Sequence, residues 1–365
     1  MKSRSHTPDP APSRRRALGA GLSVVAGLGA ALALGSPAVA AGASYVALGD
    51  SYSSGTGTRT YLSDGTSCQR SVYAYPSLDA SALGLSLTFR ACSGATVADV
   101  TSTQLSALST ATAYVTISVG GNDAGFSSVL TTCAQPSWAS NCNGAVDKAQ
   151  SLITSTIPGR LATLYSSIKA KAPNARVVVV GYPRIFNGED CNALTWFSPT
   201  EESRLNATAD LLNSKTATAA ANAGFTFVNP TSTFIGHAVC DSVEWLNGLS
   251  SPVSESYHPN IAGHRDGYAA VTKPAFGLTA TLTATQAEAK AVASADSLAR
   301  DASRYAAVDR SITPERFVAP DLHSPAMRAA AARAGVDLSS RASIDAADRV
   351  WSARQDAERR EAAHR

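Results

Sequence analysis

The sequence predicts an α/β fold built on a parallel sheet, and three observations carry that reading. Five short runs rich in β-branched and apolar residues recur along the chain, each closing in glycine or turn residues. Stretches with helical periodicity lie between them. The runs are apolar on both faces, which suits a parallel sheet covered by helices on each side. In chain order they are SYVALGDS (44–51), LSLTFRACSG (85–94), AYVTISVGGND (113–123), ARVVVVGYP (175–183) and FTFVNP (225–230). One helical stretch covers 146–173 and a second 198–224. In the second, Ser198 or Thr200 caps the start, Leu205, Ala209, Leu212 and Thr216 share a face, and Gly224 marks the stop. Alternation of strand and helix gives the α/β class.

The pattern fades near residue 278. From Thr279 onward the chain is rich in Ala, Arg, Asp and Glu, broken by Pro314, Pro320 and Pro325, and it has no cysteine. This reads as a separate helical or partly disordered extension, 279–365, whose charges nearly cancel. The remaining boundaries are an export segment, 1–40, and the main α/β domain, 41–278. A basic start, an apolar Ala/Leu/Val/Gly stretch and the small-residue site Ala38-Val39-Ala40 define the export signal. Ser13-Arg14-Arg15 followed by Leu18 suits a twin-arginine signal, although Ala17 stands where a bulky apolar residue is usual, so the route stays open. The expected location is extracellular, with no membrane-spanning segment once the signal is removed.

Composition narrows the partners. The chain is 44% hydrophobic and 16% charged, enough apolar material for one large core or two smaller ones. Its formal charge of +3 arises in residues 1–40, where Lys2, Arg4, Arg14, Arg15 and Arg16 outweigh Asp9 and leave the body near neutral. Nothing electrostatic therefore points to nucleic acid, and we expect a monomer. Six cysteines in an exported chain imply three disulfides. Chain order favours Cys68–Cys92, Cys133–Cys142 and Cys191–Cys240, because each closes a local loop. A zinc site is disfavoured, since no C-x-x-C pair occurs and His237 near Cys240 has no further ligands.

Ligands of an open α/β sheet sit at the carboxyl ends of its strands, which directs attention to Gly49-Asp50-Ser51, Cys92-Ser93-Gly94 and Gly120-Gly121-Asn122-Asp123. A fourth element, ESYHPNIAGH (255–264), holds histidines in a turn-like setting. These parts meet the needs of acyl transfer. A serine hydroxyl needs a neighbouring base, and histidine has the pKa for it. The tetrahedral intermediate needs N–H donors, from a glycine turn or an Asn amide, aimed at its oxyanion. Bland readings exist for each residue: Ser51 as a turn serine, Gly94 as a disulfide-adjacent turn, Asn122 as an Asx-turn residue, His258 as a structural histidine. His264 is read as structural, and Asp50 and Asp123 as braces of their turns. No P-loop, H-E-x-x-H or EF-hand loop occurs, so no cofactor and no metal are called for.

The four blocks, Gly49-Asp50-Ser51-Tyr52-Ser53-Ser54-Gly55, Gly94, Gly121-Asn122-Asp123 and His258, resemble those of the SGNH (GDSL) hydrolase family. The cysteine layout and Ser256-Tyr257-His258-Pro259-Asn260 are similar to those of secreted actinomycete (Streptomyces-type) lipases and esterases. The resemblance spans roughly residues 44–278. It implies a three-layer α/β/α sandwich with a flavodoxin-like five-stranded parallel sheet. It also implies that Ser51 is the nucleophile and His258 the general base and acid. The oxyanion hole would comprise the backbone N–H groups of Ser51 and Gly94 and the Asn122 amide. Many family members place Asp three residues before the histidine, where this chain has Glu255. Either the Ser256 carbonyl or the Glu255 carboxylate would then orient His258. The implied function is a serine esterase or lipase acting on lipid, acylglycerol or medium-chain esters. Alternatives are a phospholipase A, an acyltransferase, a carbohydrate acetylesterase and a non-catalytic binding protein. The motif is not the nucleophile elbow of α/β-hydrolases, because Ser53 stands where G-x-S-x-G requires glycine.

Overall fold

The computed structural model describes residues 42–363 apart from 315; the export signal expected at 1–40 lies outside the described residues. All five expected runs form strands: β1 Ser44–Gly49, β2 Ser86–Phe89, β3 Tyr114–Ser118, β4 Arg176–Val180 and β5 Thr226–Val228. They pair in parallel in the order β2-β1-β3-β4-β5. Strand periodicity then sends alternate side chains to opposite faces. Tyr45 and Ala47 join Ala80, Leu83 and Phe276 in one apolar cluster. Val46, Leu48, Val115 and Ile117 join Ile153, Leu161, Ile168 and Leu212 in a larger one. A sheet buried on both faces is the three-layer α/β/α arrangement that the runs imply.

The helices through the catalytic region are α1 Ser51–Ser54, α2 Tyr75–Leu83, α3 Val97–Asp99, α4 Phe126–Cys133, α5 Cys142–Ser155, α6 Ile157–Lys171, α7 Pro199–Asn222 and α8 Ala269–Ala275. The single helix expected over 146–173 is two. Pro158 has no N–H to donate and suits only a first turn, so the chain ends α5 at Ser155 and restarts as α6. The α5 start also moves back to Cys142, where the Asn141 side chain accepts from the Gly144 N–H at 2.8 Å. In α7 Ser198 is the cap, in a capping box with Glu201, and Leu205, Ala209, Leu212 and Thr216 are buried together.

The extension is helical: α9 Ala284–Ala293, α10 Ala295–Ser303, α11 Ala306–Asp309, α12 Pro325–Ala334 and α13 Arg341–Ala363. It belongs to the same compact unit as residues 42–278. Ala291 and Leu298 pack on Val72 and Leu78, and Met327, Ala331 and Ile344 pack on Trp138 and Trp196. Between these contacts Asp309, fully buried, accepts two hydrogen bonds of 2.9 Å from Arg90 and one from Arg70. Arg70 also donates to Asp64 at 2.6 Å, so two buried guanidiniums face two carboxylates. One of those carboxylates comes from the extension.

Candidate active site

β1 ends at Gly49, whose φ of 124° suits glycine; a Cβ there would lie 2.3 Å from the Ser118 carbonyl oxygen of β3. The backbone therefore turns hard against the neighbouring strand and enters α1 at once. Gln104, fully buried, holds the Gly49 peptide from both sides, accepting from its N–H at 2.7 Å and donating to its carbonyl at 2.8 Å. Asp50 caps α1 by accepting from the Tyr52 N–H at 3.0 Å and receives the Tyr182 hydroxyl at 2.5 Å. Burial pushes its carboxyl up to about 7, against the lowering effect of these hydrogen bonds. Ser51 thus stands at the first position of α1, at the carboxyl edge of the sheet, 7% exposed.

The structure brings Ser51 and His258 together across 207 residues of sequence, with Oγ and Nε2 2.9 Å apart. On the other side of the ring, Nδ1 lies 2.9 Å from the Ser256 carbonyl oxygen. A carbonyl only accepts, so Nδ1 carries the proton and Nε2 is left free to accept from the serine hydroxyl. Burial lowers the His258 pKa to about 4, partly offset by the bond to Ser256, so the ring is neutral at physiological pH. Glu255 does not reach it. Its carboxylate receives the Tyr61 hydroxyl at 2.6 Å and the Arg59 Nε at 3.2 Å. Of the two orienting groups left open by the sequence, the Ser256 carbonyl is the one in contact with the ring. Tyr257 between them has φ 62°, a left-handed conformation that folds the Ser256 carbonyl back towards the imidazole. It is held there: its N–H donates to the Asn247 carbonyl at 2.8 Å, its own carbonyl accepts from Tyr52 at 2.7 Å, and its ring packs on Phe186, Phe197 and Phe317.

Gly94 and Asn122 line the same cavity as Ser51 and His258. Among the described residues, neither the Ser51 nor the Gly94 N–H donates to a protein acceptor, so both are available to an oxyanion. The Gly94 loop is pinned by the adjacent Cys68–Cys92 bridge and by Ser93 and Ala95 N–H groups donating to the Cys68 and Cys92 carbonyls. Asn122 gives one amide hydrogen to the Ala95 carbonyl at 3.0 Å, which fixes the side chain and leaves its second hydrogen free. Asp123 braces this loop, accepting from the Val97 N–H at 2.8 Å and pairing with Arg160 at 2.9 Å. His264 lies apart from the serine, fully buried and stacked on Tyr75 and Tyr268. The cysteines pair as Cys68–Cys92, Cys133–Cys142 and Cys191–Cys240.

The cavity, of about 170 Å³, is walled mainly by apolar side chains, among them Leu130, Ile153, Ile185 and Leu212. Among the wall residues that the sequence did not point to are Pro314, Arg316 and Phe317, all in the extension. Gln104 and Tyr182 were also missed. Tyr182 follows β4, so the rule that ligands gather at strand ends could have found it; Gln104 belongs to no motif.

The GDSL-like Lipase/Acylhydrolase family model matches residues 47–265. Lipase 1 of Streptomyces coelicolor is 47% identical over 235 residues, which is 64% of this chain and 85% of that protein. A lipase of Streptomyces rimosus is 41% identical over 268 residues, 72% of this chain and 98% of that protein. Among solved structures, the extracellular lipase from Streptomyces rimosus is similar with a TM-score of 0.60 at 42% identity, covering 64% of this chain and 99% of that one. Phospholipase A1 from Streptomyces albidoflavus NA297 gives a TM-score of 0.61 at 42% identity, with the same coverage.

Proposed function

This chain belongs to the GDSL-like lipase/acylhydrolase family and is a carboxylic ester hydrolase of the esterase/lipase kind; from that premise we propose that Ser51 and His258 carry the reaction. The observation that supports this most is the 2.9 Å contact between Ser51 Oγ and His258 Nε2, with the opposite ring nitrogen committed to the Ser256 carbonyl. The serine oxygen attacks the ester carbonyl while its proton passes to Nε2. The oxyanion accepts hydrogen bonds from the Ser51 and Gly94 N–H groups and the free Asn122 amide hydrogen. Collapse expels the alcohol, which takes the proton from His258, and leaves an acyl-serine. Water then attacks, again losing its proton to Nε2, and the carboxylic acid departs as Ser51 is reprotonated.

Apolar cavity walls favour acyl chains over sugar acetates, so lipid or medium-chain esters are the proposed substrates. Similarity to a phospholipase A1 favours a second reading, in which the alcohol is a lysophospholipid. We further propose export, from the signal-like N-terminus and the extracellular lipase among the relatives. The test is hydrolysis of p-nitrophenyl esters from acetyl to palmitoyl, alongside phosphatidylcholine, by the protein and its Ser51→Ala variant. Activity on the longer esters that falls by about 10³-fold or more in the variant is the expected result. Fatty acid release from phosphatidylcholine at a comparable rate would favour the phospholipase reading, and activity confined to acetyl esters would contradict the lipid assignment.

A further inference from the structure

We propose that Pro314 and Phe317, on the C-terminal extension, form the outer wall of the acyl cavity and that Phe317 sets the length of acyl chain accepted; this rests on the ester-hydrolase reading above. Pro314 abuts the glycine of the oxyanion loop so closely that a Cβ on Gly94 would lie 2.3 Å from the Pro314 Cα. Phe317 meets the Tyr257 ring edge-on at 4.9 Å, beside His258. The two residues therefore touch two parts of the site, Pro314 the Gly94 loop and Phe317 the residue that precedes His258. Phe317, 6% exposed, shares the main apolar core with Ile153 and Leu212, which also line the cavity. An acyl chain on Ser51 extends along Ile153, Leu212 and Phe317.

The stretch bearing Pro314 and Phe317 is flanked by anchors on both sides. Before it stands Asp309, clamped between Arg70 and Arg90. Immediately after it the Val318 N–H donates to Thr131 Oγ1 at 2.9 Å, and α12 and α13 then pack on Trp138 and Trp196. The wall is an addition to the family's common core. The family match ends at residue 265, and 64% of this chain already covers 99% of the Streptomyces rimosus lipase structure.

The experiment compares kcat/KM for butanoyl, octanoyl and dodecanoyl p-nitrophenyl esters in the full chain and its Phe317→Ala, Phe317→Leu and Phe317→Trp variants. The ratio of dodecanoyl to butanoyl rates, taken within each variant, cancels any difference in folded fraction. That ratio rises by about tenfold or more in Phe317→Ala, less in Phe317→Leu, and falls in Phe317→Trp, since each methylene admitted or refused is worth about that much. Phe317→Leu keeps the test open if the alanine variant does not fold. Val318→Ser, on an exposed side chain that does not line the cavity, keeps the original profile. An unchanged ratio across the Phe317 series overturns the proposal. An equal rate increase for every ester also overturns it, because the segment would then be a cover that must lift. No hydrolysis of any ester by the unaltered protein would overturn the functional reading together with this one.

Discussion

A histidine that works as a base must be neutral when substrate arrives, and the contacts of His258 decide both its charge and its tautomer. Burial holds its pKa at about 4, below the ordinary value of 6.5, while the Ser256 carbonyl assigns the proton to Nδ1. The base form persists above that pKa and is lost as pH falls through it. The acid limb of kcat/KM should therefore lie near pH 4, with the rate still on its plateau at pH 6.5. In Glu255→Gln the same limb and a kcat within about threefold of the original are expected, because the carboxylate serves Arg59 and Tyr61 and not the imidazole. A limb centred near 6.5 would contradict the lowering of the pKa by burial, and a loss of orders of magnitude in Glu255→Gln would contradict main-chain orientation of the ring. Serine, glycine, asparagine and histidine were legible at this scale because each block is local and chemically distinctive. The direction of the Glu255 side chain was not, since it depends on Arg59 and Tyr61, almost 200 residues earlier in the chain. Gln104 was hidden for the same reason: a buried amide spanning one peptide leaves no periodic trace.

At the scale of elements, the strands were readable because two-sided burial forces continuous apolar runs, and α7 because its cap and its stop are both encoded locally. The break between α5 and α6 turned on Pro158, and the docking of the extension on tertiary contacts. Its short Ala-rich helices bury mainly small side chains such as Ala291, Ala330 and Ala331, a weak apolar signal by sequence alone. Asp309 shows what that docking supplies. Replacing it with Asn removes one of two carboxylates facing two buried guanidiniums, and breaking such a pair costs about 3–5 kcal/mol. Chemical denaturation of Asp309→Asn should show a loss of that order. A change below about 1 kcal/mol, the range of an exposed ion pair, would mean that the extension is not tied to the catalytic region through this cluster.

For the whole molecule, three disulfides and a wrapped extension brace loops that the sheet alone leaves free. Cys68–Cys92 fixes the loop bearing Gly94, Cys133–Cys142 joins α4 to α5, and Cys191–Cys240 ties two loops outside the sheet. The extension then passes from the α2 side of the sheet, across the cleft, to Trp138 and Trp196. Ser51 and His258 meet at the carboxyl edge of this sheet. The acyl-serine is the most direct test of that arrangement. Mixing excess protein with a p-nitrophenyl ester, quenching in acid within the burst phase and mapping the added mass by peptide digestion should locate the acyl group on the peptide containing Ser51, with none in Ser51→Ala. An acyl group on another residue, or full activity in Ser51→Ala, would contradict the account.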